Sequence, residues 1–319
     1  MRCVVLDDYQ NVAGSCADWS PAAVELVSVT EHISDEAALA ERLAGAEVIV
    51  AMRERTPFTR ALFGRLPDLR LLVTTGMGNA AIDLRAAADH GVTVCGTSGI
   101  VTPTAELTWG LIHALARQIV ADDNTMRAGG WQTRMGTGLH GRRLGLLGLG
   151  RIGALVARVG VAFGMDVVAW SHNLTAERTA DAGARLVDMD ELLRTSDIVS
   201  IHLVLSDRTR GLIGANELAK MKPTAYLVNT SRGPIVVHDA LVAALHDGII
   251  AGAGLDVYDV EPLPTNDPLR GLPNTVLTPH TGYVVTQCYE IFYREIVEDI
   301  AAWQAGRPIR VIGADMGHR

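Results

Sequence analysis

Cysteine is scarce in this sequence, and its few copies are scattered. The four cysteines are Cys3, Cys16, Cys95 and Cys288. No two of them have the short spacing of a C-x-x-C pair, so they offer no framework for a zinc site. Free thiols of this kind fit a reducing cytoplasm, where we expect the protein to be located. The consecutive acids Asp7 and Asp8 have no third ligand to accompany them, and we expect no metal site.

Long hydrophobic runs and clusters of basic residues are also lacking. The longest apolar runs are far too short to cross a bilayer, and the N-terminus is typical of a first core strand rather than a signal peptide. The net charge of −8 argues against a nucleic-acid or anionic-membrane partner. Aromatic residues make up only 5% of the chain, so aliphatic side chains and alanine must fill the core. A length of 319 residues allows two ordinary domains.

What the sequence does contain is an alternation of strand-like and helix-like segments. In the first part, strands are predicted near 4–6, 48–50, 71–73 and 92–94, with helices over 35–43, 60–66 and 83–90. In the second part, strands are predicted near 144–147, 167–170, 198–201, 225–228, 251–257 and 275–277. A long apolar helix is expected over 106–120 after Pro103, and a final helix over about 287–303. This alternation predicts an α/β protein with doubly wound parallel sheets.

The centre of the sequence is a strand, a glycine turn and a helix in direct succession. The glycines are Gly148, Gly150 and Gly153, in G-x-G-x-x-G spacing, and they enclose Arg151 and Ile152. The first glycine permits a tight turn, the second lets the backbone approach a pyrophosphate, and the third lets helix and strand pack closely. The first amides of the helix then face the phosphates, with the positive end of the helix dipole behind them. We therefore predict a dinucleotide-binding site here.

Three further loops follow predicted strands, at the sheet edge where ligands bind in doubly wound folds. They are Asn-Thr-Ser-Arg-Gly at 229–233, Asp-Val-Tyr-Asp-Val-Glu-Pro at 256–262 and Thr-Pro-His-Thr-Gly at 278–282. With the glycine turn, these loops resemble the D-isomer-specific 2-hydroxyacid dehydrogenases, and the resemblance covers nearly the whole chain.

The resemblance implies a Rossmann-like cofactor domain and a flavodoxin-like substrate domain, with the active site in the cleft between them. The substrate domain would be discontinuous, over 1–98 and 287–319, and the dinucleotide-binding domain would cover 99–286. The implied enzyme is an NAD(P)-dependent oxidoreductase that transfers a hydride between nicotinamide and a small 2-oxo or 2-hydroxy acid of D configuration, with reduction as the expected direction. The family precedent is a homodimer, whose interface would include residues 106–131.

The resemblance assigns the chemistry to Arg232, Glu261 and His280. The planar guanidinium of Arg232 can hold a carboxylate and polarise the adjacent carbonyl oxygen. His280 can give a proton to that oxygen as the hydride reaches the carbon. Glu261 can hydrogen-bond the imidazole and favour its charged form. Related formate enzymes have glutamine at the position of Glu261, so the acid favours an oxo-acid or hydroxy-acid substrate.

The resemblance also suggests residues around the substrate and the cofactor. The candidates for substrate binding, besides Arg232, are Arg53, Gly76, Met77 and Gly78. The two glycines of that loop should leave backbone N–H groups free to bind a carboxylate, although an ordinary turn and a solvated Arg53 remain open. Asp256 resembles the acid that orients the nicotinamide amide, and an acid that caps the following loop is the alternative. Thr104 resembles a residue near the cofactor.

An acidic residue is missing where NAD enzymes usually bind the ribose 2′-hydroxyl, at the end of the strand after the glycine turn. That strand continues into Ser171, His172 and Asn173. A carboxylate would repel a 2′-phosphate, whereas a hydroxyl and an amide would not. The sequence therefore favours NADP over NAD, although the nearest arginine, Arg178, lies several residues further on.

Two other functions remain open from the sequence. The same scaffold could form a non-enzymatic dinucleotide sensor or corepressor, although we expect no appended tails. It could also form a phosphoglycerate dehydrogenase, although many of those carry a regulatory C-terminal domain that we do not expect here.

Overall fold

The computed structural model describes residues 1–313, and the chain divides into two compact units. The first unit consists of Met1–Ile100 and the described residues from Val284 onward, and the second is Val101–Tyr283. Each unit has its own parallel sheet and its own hydrophobic core. Within the described part of the chain, no helix combines the length and the apolar character needed to cross a membrane.

The first unit contains a five-stranded parallel sheet. Its strands are β1 (Arg2–Val5), β2 (Glu25–Ser28), β3 (Val48–Ala51), β4 (Leu71–Thr74) and β5 (Thr93–Gly96). Its helices are α1 (Glu36–Leu43), α2 (Arg60–Gly64), α3 (Leu84–Asp89) and, from the C-terminal segment, α11 (Thr286–Gln304), with a short 3-10 helix at Ser20–Ala22. The strand order β2-β1-β3-β4-β5 is the flavodoxin-like doubly wound order. Strands β3 and β4 are fully buried, as continuous apolar runs in a parallel sheet should be.

The second unit contains a seven-stranded parallel sheet. Its strands are β6 (Arg143–Leu147), β7 (Asp166–Trp170), β8 (Arg185–Leu186), β9 (Ile198–Ile201), β10 (Tyr226–Asn229), β11 (Gly252–Leu255) and β12 (Thr275–Leu277). Its helices are α4 (Thr102–Ala116), α5 (Ile119–Arg127), α6 (Arg151–Ala162), α7 (Ala176–Asp181), α8 (Met189–Thr195), α9 (Ala215–Leu218) and α10 (His238–His246), with 3-10 helices at Gly233–Ile235 and Pro268–Gly271. In the strand order β12-β11-β10-β9-β6-β7-β8, the direction of winding reverses between β6 and β9. This is the topological switch point, where ligands bind in Rossmann-like sheets.

Both faces of the second sheet are buried. Neighbouring residues of one strand belong to different hydrophobic clusters, as Leu227 and Val228 of β10 do. Successive side chains of a strand point to opposite faces, so each cluster covers one face. The expected fold class, two doubly wound parallel α/β sheets, is confirmed.

The structure corrects the expected long helix over 106–120. Helix α4 already begins at Thr102, because Pro103 fits the first turn, where its missing N–H needs no partner. The helix ends at Ala116, and Gln118 takes a left-handed φ of 56° before α5 begins. Strand β2 was not expected, since it is a partly exposed edge strand without a run of large apolar residues.

Candidate active site

The glycine turn between β6 and α6 places each of its three glycines in a different environment. Gly148 has a φ of 100°, and a Cβ there would lie 2.6 Å from the carbonyl oxygen of His202. A Cβ on Gly153 would overlap the carbonyl oxygen of Gly148. A Cβ on Gly150 would meet nothing within 4 Å. The fold therefore requires the first and third glycines, whereas the second leaves open space in front of the helix.

The N-terminus of α6 is suited to a phosphate. Gly150 is its N-cap residue, and within residues 1–313 no side chain caps the helix. The first-turn amides, which include those of Arg151 and Ile152, have no acceptor within a helix by its geometry. The helix has 12 residues, so its dipole places partial positive charge at this end. The glycine turn and helix terminus thus fit the pyrophosphate of a dinucleotide.

The loop after β7 lies beside the glycine turn, because the backbone N–H of Gly148 donates to the carbonyl oxygen of Trp170 at 2.8 Å. Ser171 is half-buried there, and His172 and Asn173 are exposed. Arg178 lies further along the chain, exposed on α7. No carboxylate follows the strand directly, so a hydroxyl, an imidazole and an amide occupy the place where an acid would bind a ribose.

The loop that carries Arg232 is held by the side chain of Asn229. Asn229 is only 1% exposed. Its Nδ2 donates to the carbonyl oxygen of Arg232 at 3.0 Å, and its Oδ1 accepts from the backbone N–H of Ser231 at 3.0 Å. The buried hydroxyls of Thr230 and Thr108 lie 2.8 Å apart, which ties the loop to α4. The backbone at Arg232 is therefore held by the side chain of Asn229, and the loop by the contact between Thr230 and Thr108.

Gly233 brings the arginine loop against the loop that carries Glu261. A Cβ on Gly233 would overlap the backbone carbonyl of Tyr258, so only glycine permits this approach. The Tyr258 backbone N–H donates to Glu261 Oε1 at 2.9 Å. The Tyr258 hydroxyl donates to the carbonyl oxygens of Leu255 at 3.1 Å and Thr278 at 3.0 Å. Tyr258 thus joins the loops after β11 and β12, a role that its place inside a recognised motif did not reveal.

His280 and Glu261 form a direct hydrogen bond. His280 Nδ1 lies 2.6 Å from Glu261 Oε2, and the two side chains are 16% and 24% exposed. An ionised carboxylate only accepts hydrogen bonds, so the proton of this contact belongs to Nδ1. Among residues 1–313, no hydrogen-bond partner reaches His280 Nε2. That nitrogen can therefore exchange a proton with a bound molecule.

Glu261 keeps its charge although it is largely buried. Burial alone raises the pKa of its carboxyl. The hydrogen bond and charge of His280, the N–H of Tyr258 and the charge of Arg232 outweigh that effect, and the pKa lies below its ordinary value. Arg232 is therefore close enough to act on Glu261 electrostatically. The three loops after β10, β11 and β12 therefore converge on one charged cluster.

Asp256 holds the loop after β12. Its side chain is 1% exposed, and its Oδ1 accepts from the hydroxyl of Thr278 at 2.6 Å and the backbone N–H of Thr281 at 2.7 Å. Its Oδ2 accepts from the backbone N–H of Gly282 at 2.9 Å, and Thr104 Oγ1 donates to the carbonyl oxygen of that glycine at 3.0 Å. Burial raises the pKa of Asp256, and these donors oppose the rise. The contacts fit the loop-capping alternative for Asp256.

In the first unit, the sequence predicted that the two glycines of the loop after β4 leave their backbone N–H groups free, and the structure differs at one of them. The N–H of Gly76 is not free for a ligand, because it donates to the hydroxyl of Thr97 at 3.0 Å. The N–H groups of Met77 and Gly78 have no acceptor within residues 1–313. Gly76 has a φ of 93°, and the guanidinium of Arg53 lies against it, donating to the carbonyl oxygen of Thr75 at 3.2 Å. Of the two glycine amides expected to be free, that of Gly76 is therefore occupied, and the open amides of this loop are those of Met77 and Gly78.

Comparisons with known proteins agree with this arrangement. Residues 109–282 match the D-isomer specific 2-hydroxyacid dehydrogenase, NAD binding domain family. The chain is 43% identical over 256 residues to a glyoxylate reductase of Aeropyrum pernix, covering 77% of this chain and 76% of the relative. It is 36% identical over 273 residues to a glyoxylate reductase of Korarchaeum cryptofilum, covering 83% and 82%.

A solved structure is similar over the whole fold. The phosphoglycerate oxidoreductase of Vibrio cholerae superposes with a TM-score of 0.92 at 36% identity, covering 96% of this chain and 99% of that one. The matched family binds a nicotinamide dinucleotide, which agrees with the glycine turn described above. The chain belongs to the D-isomer specific 2-hydroxyacid dehydrogenase family.

Proposed function

We propose that this NAD(P)-dependent 2-oxoacid reductase acts on glyoxylate, which it reduces to glycolate. The names of the two glyoxylate reductases support this substrate. The name of the Vibrio cholerae structure corresponds to the phosphoglycerate alternative, which the assay below tests together with the non-enzymatic one. The observation that carries the proposal is the 2.6 Å hydrogen bond between His280 Nδ1 and Glu261, since it leaves Nε2 as the proton donor.

Each residue of the charged cluster has a separate task in this proposal. The nicotinamide cofactor, when bound, supplies the hydride. Arg232 binds the carboxylate with its planar fork and polarises the carbonyl oxygen, which gains negative charge during reduction. His280 gives its Nε2 proton to that oxygen, so the product is the hydroxyl of a 2-hydroxy acid. Glu261 accepts the Nδ1 proton of His280 in a hydrogen bond and thereby fixes the orientation of the imidazole.

The loop at 76–78 is the second proposed binding element for a carboxylate. The N–H groups of Met77 and Gly78 have no acceptor within the described chain, and the guanidinium of Arg53 lies against the same loop. Successive backbone amides of this kind form a small concave site for anions. We propose that these groups contact the substrate.

We also propose a preference for NADPH. The loop of Ser171, His172 and Asn173 has no carboxylate that would repel a 2′-phosphate. Arg178, exposed on α7, is the nearest arginine that follows. Asp256 and Thr104 would act on the cofactor through the loop after β12, whose backbone they hold.

A homodimer in the cytoplasm is the proposed form of the enzyme. Helix α5 has no buried residue, and its apolar side chains include Ile119 at 51% and Met126 at 53% exposure. Trp131 is 70% exposed a few residues further on. All four cysteines are free thiols, which fits a reducing compartment.

The test is a turnover assay with NADPH and with NADH on glyoxylate, hydroxypyruvate, pyruvate and 3-phosphohydroxypyruvate. We expect glyoxylate and NADPH to give the highest kcat/KM. The variant H280A should lower kcat by roughly two to four powers of ten while cofactor binding is retained. The control is H246A, because His246 also contacts an acid, Asp247, at 2.8 Å, but on an exposed surface.

Three results would contradict parts of the proposal. No turnover with any 2-oxo acid would support the non-enzymatic alternative. A clear preference for the phosphorylated substrate would support a phosphoglycerate dehydrogenase. A strong preference for NADH would refute the cofactor assignment, and near-normal turnover in H280A would remove His280 from proton transfer.

A further inference from the structure

The two open amides of the loop at 76–78 depend on how the preceding peptide is oriented. Gly76 has a φ of 93°, a conformation that glycine adopts easily but does not enforce. Its N–H belongs to the peptide between Thr75 and Gly76, and that peptide must be held for the following N–H groups to keep one direction. The only acceptor that the described chain gives to the Gly76 N–H is the hydroxyl of Thr97, at 3.0 Å.

Thr97 is fully buried, with 0% exposure, directly after β5. Its hydroxyl donates to the carbonyl oxygen of Ser98 at 3.0 Å, so the lone pair that faces Gly76 is an acceptor. Its backbone N–H donates to the carbonyl oxygen of Thr74 at 3.1 Å. A Cβ on the preceding Gly96 would lie 2.5 Å from the Gly76 carbonyl oxygen, so the loop rests directly on this strand end.

The position of Thr97 is secured from α11. The backbone N–H and the hydroxyl of Ser98 donate to the two carboxylate oxygens of Glu295, each at 2.6 Å. Glu295 is 9% exposed, and Arg310 Nε lies 4.0 Å from its Oε2. Both donors of Ser98 are therefore satisfied by one carboxylate. Hydrogen bonds to a charged acceptor are stronger than those between neutral groups. Because the next residue is held in this way, the position of the Thr97 hydroxyl beside the loop at 76–78 is fixed.

We propose that Thr97 is a positioning residue for substrate binding, whose hydroxyl orients the amides of Met77 and Gly78 toward the substrate carboxylate. This inference rests on the proposed function. Without the hydroxyl, the half-buried Gly76 N–H is left unpaired, and the peptide turns to find another acceptor. The next two N–H groups then lose their common direction, and the carboxylate is bound less tightly in the ground state and transition state alike.

The test compares T97V with T97S in the full-length enzyme. Valine has nearly the shape of threonine and lacks the hydroxyl, and serine retains it. We expect T97V to raise the KM for glyoxylate about tenfold, equivalent to about 1.4 kcal/mol of binding, with kcat within about threefold of the wild type. The Kd of NADPH, measured by fluorescence titration, should not change, and T97S should restore the wild-type KM.

A matched control is T195V, because the hydroxyl of Thr195 donates to the carbonyl oxygen of Glu191 in its own helix. It should leave both KM and kcat unchanged. T97A provides a second variant without the hydroxyl, with no added bulk, and it should raise KM as T97V does.

The inference fails if wild-type enzyme reduces glyoxylate and the variants without the hydroxyl keep the wild-type KM. It also fails if kcat falls while KM is unchanged, or if T97S behaves like T97V. A wild-type protein with no 2-oxoacid turnover overturns the proposed function, and this inference falls with it.

Discussion

At the scale of single residues, the hydrogen bond between His280 and Glu261 joins the loops after β11 and β12. The two residues are 19 positions apart and lie in different loops. Motif order suggested both, since each follows a predicted strand at the ligand-binding edge. The sequence did not reveal that the Gly76 amide is taken by Thr97, because a hydroxyl after a strand has no distinctive pattern.

We expect E261Q to destabilise the protein in a pH-dependent way. The pKa of Glu261 is lower in the folded state than its ordinary value of 4.5, so the unfolded chain binds more protons during acidification. The stabilising contribution of the carboxylate is therefore present above that ordinary value and is lost as pH falls through the lower folded value. At pH 7, the loss of this charge-assisted hydrogen bond should cost about 1 to 3 kcal/mol.

Urea unfolding of wild type and E261Q between pH 7 and pH 3 checks this. The two stabilities should converge toward acid pH, whereas the exposed control E41Q should follow the wild type throughout. A constant difference at every pH would show that the carboxylate's charge is not the cause.

At the scale of elements, the strands were the most predictable features. Buried parallel strands are short continuous apolar runs, so β3, β4, β6 and β9 stand out from the sequence. The break between α4 and α5 could not be found in this way, because Gln118 has no sequence feature that requires a left-handed φ. The edge strands β2 and β8 were also not identified, since both are short and partly exposed.

The glycine turn allows a paired test of structure against binding. At Gly150 the φ of −79° suits any residue and a Cβ would meet nothing within 4 Å, so G150A should lower Tm only by the small cost of alanine at an N-cap. The added methyl should occupy the space for the pyrophosphate and weaken NADPH binding at least about tenfold. G153A should lower Tm more, because its Cβ overlaps the Gly148 carbonyl oxygen.

Thermal unfolding without cofactor and fluorescence titration with NADPH separate the two effects. A G150A protein with normal NADPH affinity would show that the cofactor does not approach this glycine. A G153A protein with the wild-type Tm would show that helix and strand can move apart at little cost.

At the scale of the whole molecule, the alternation of strands and helices was enough to predict the fold class. Parallel strands need long crossover connections, which are usually helices. Strands and helices that alternate along the chain are therefore compatible with few architectures other than an α/β fold with a parallel sheet. The order of the strands was not predictable in the same way. The placement of β6 between β7 and β9 depends on packing between segments distant in the chain, which local periodicity does not describe.

The oligomeric state can be tested on α5. If its exposed apolar side chains form the proposed dimer interface, the double variant I119E/M126E should sediment as a monomer of about half the wild-type mass, since two buried charges per helix oppose association. The control I249E changes an isoleucine that is 41% exposed after α10. A wild-type monomer, or a dimeric double variant, would contradict this interface.

The close approach of Gly233 to Tyr258 has a practical consequence for redesign. The backbones of the loop with Arg232 and the loop with Glu261 are in direct contact there, so the two loops form one rigid unit. Replacing either loop with that of a homologue should therefore displace the other. In the loop at 76–78, Gly76 lies against the end of β5, whereas Met77 and Gly78 are exposed, and a Cβ on Gly78 would meet nothing within 4 Å. Libraries that aim to broaden the range of accepted acids should therefore diversify Met77 and Gly78, keep Gly76, and leave residues 229–262 as they are.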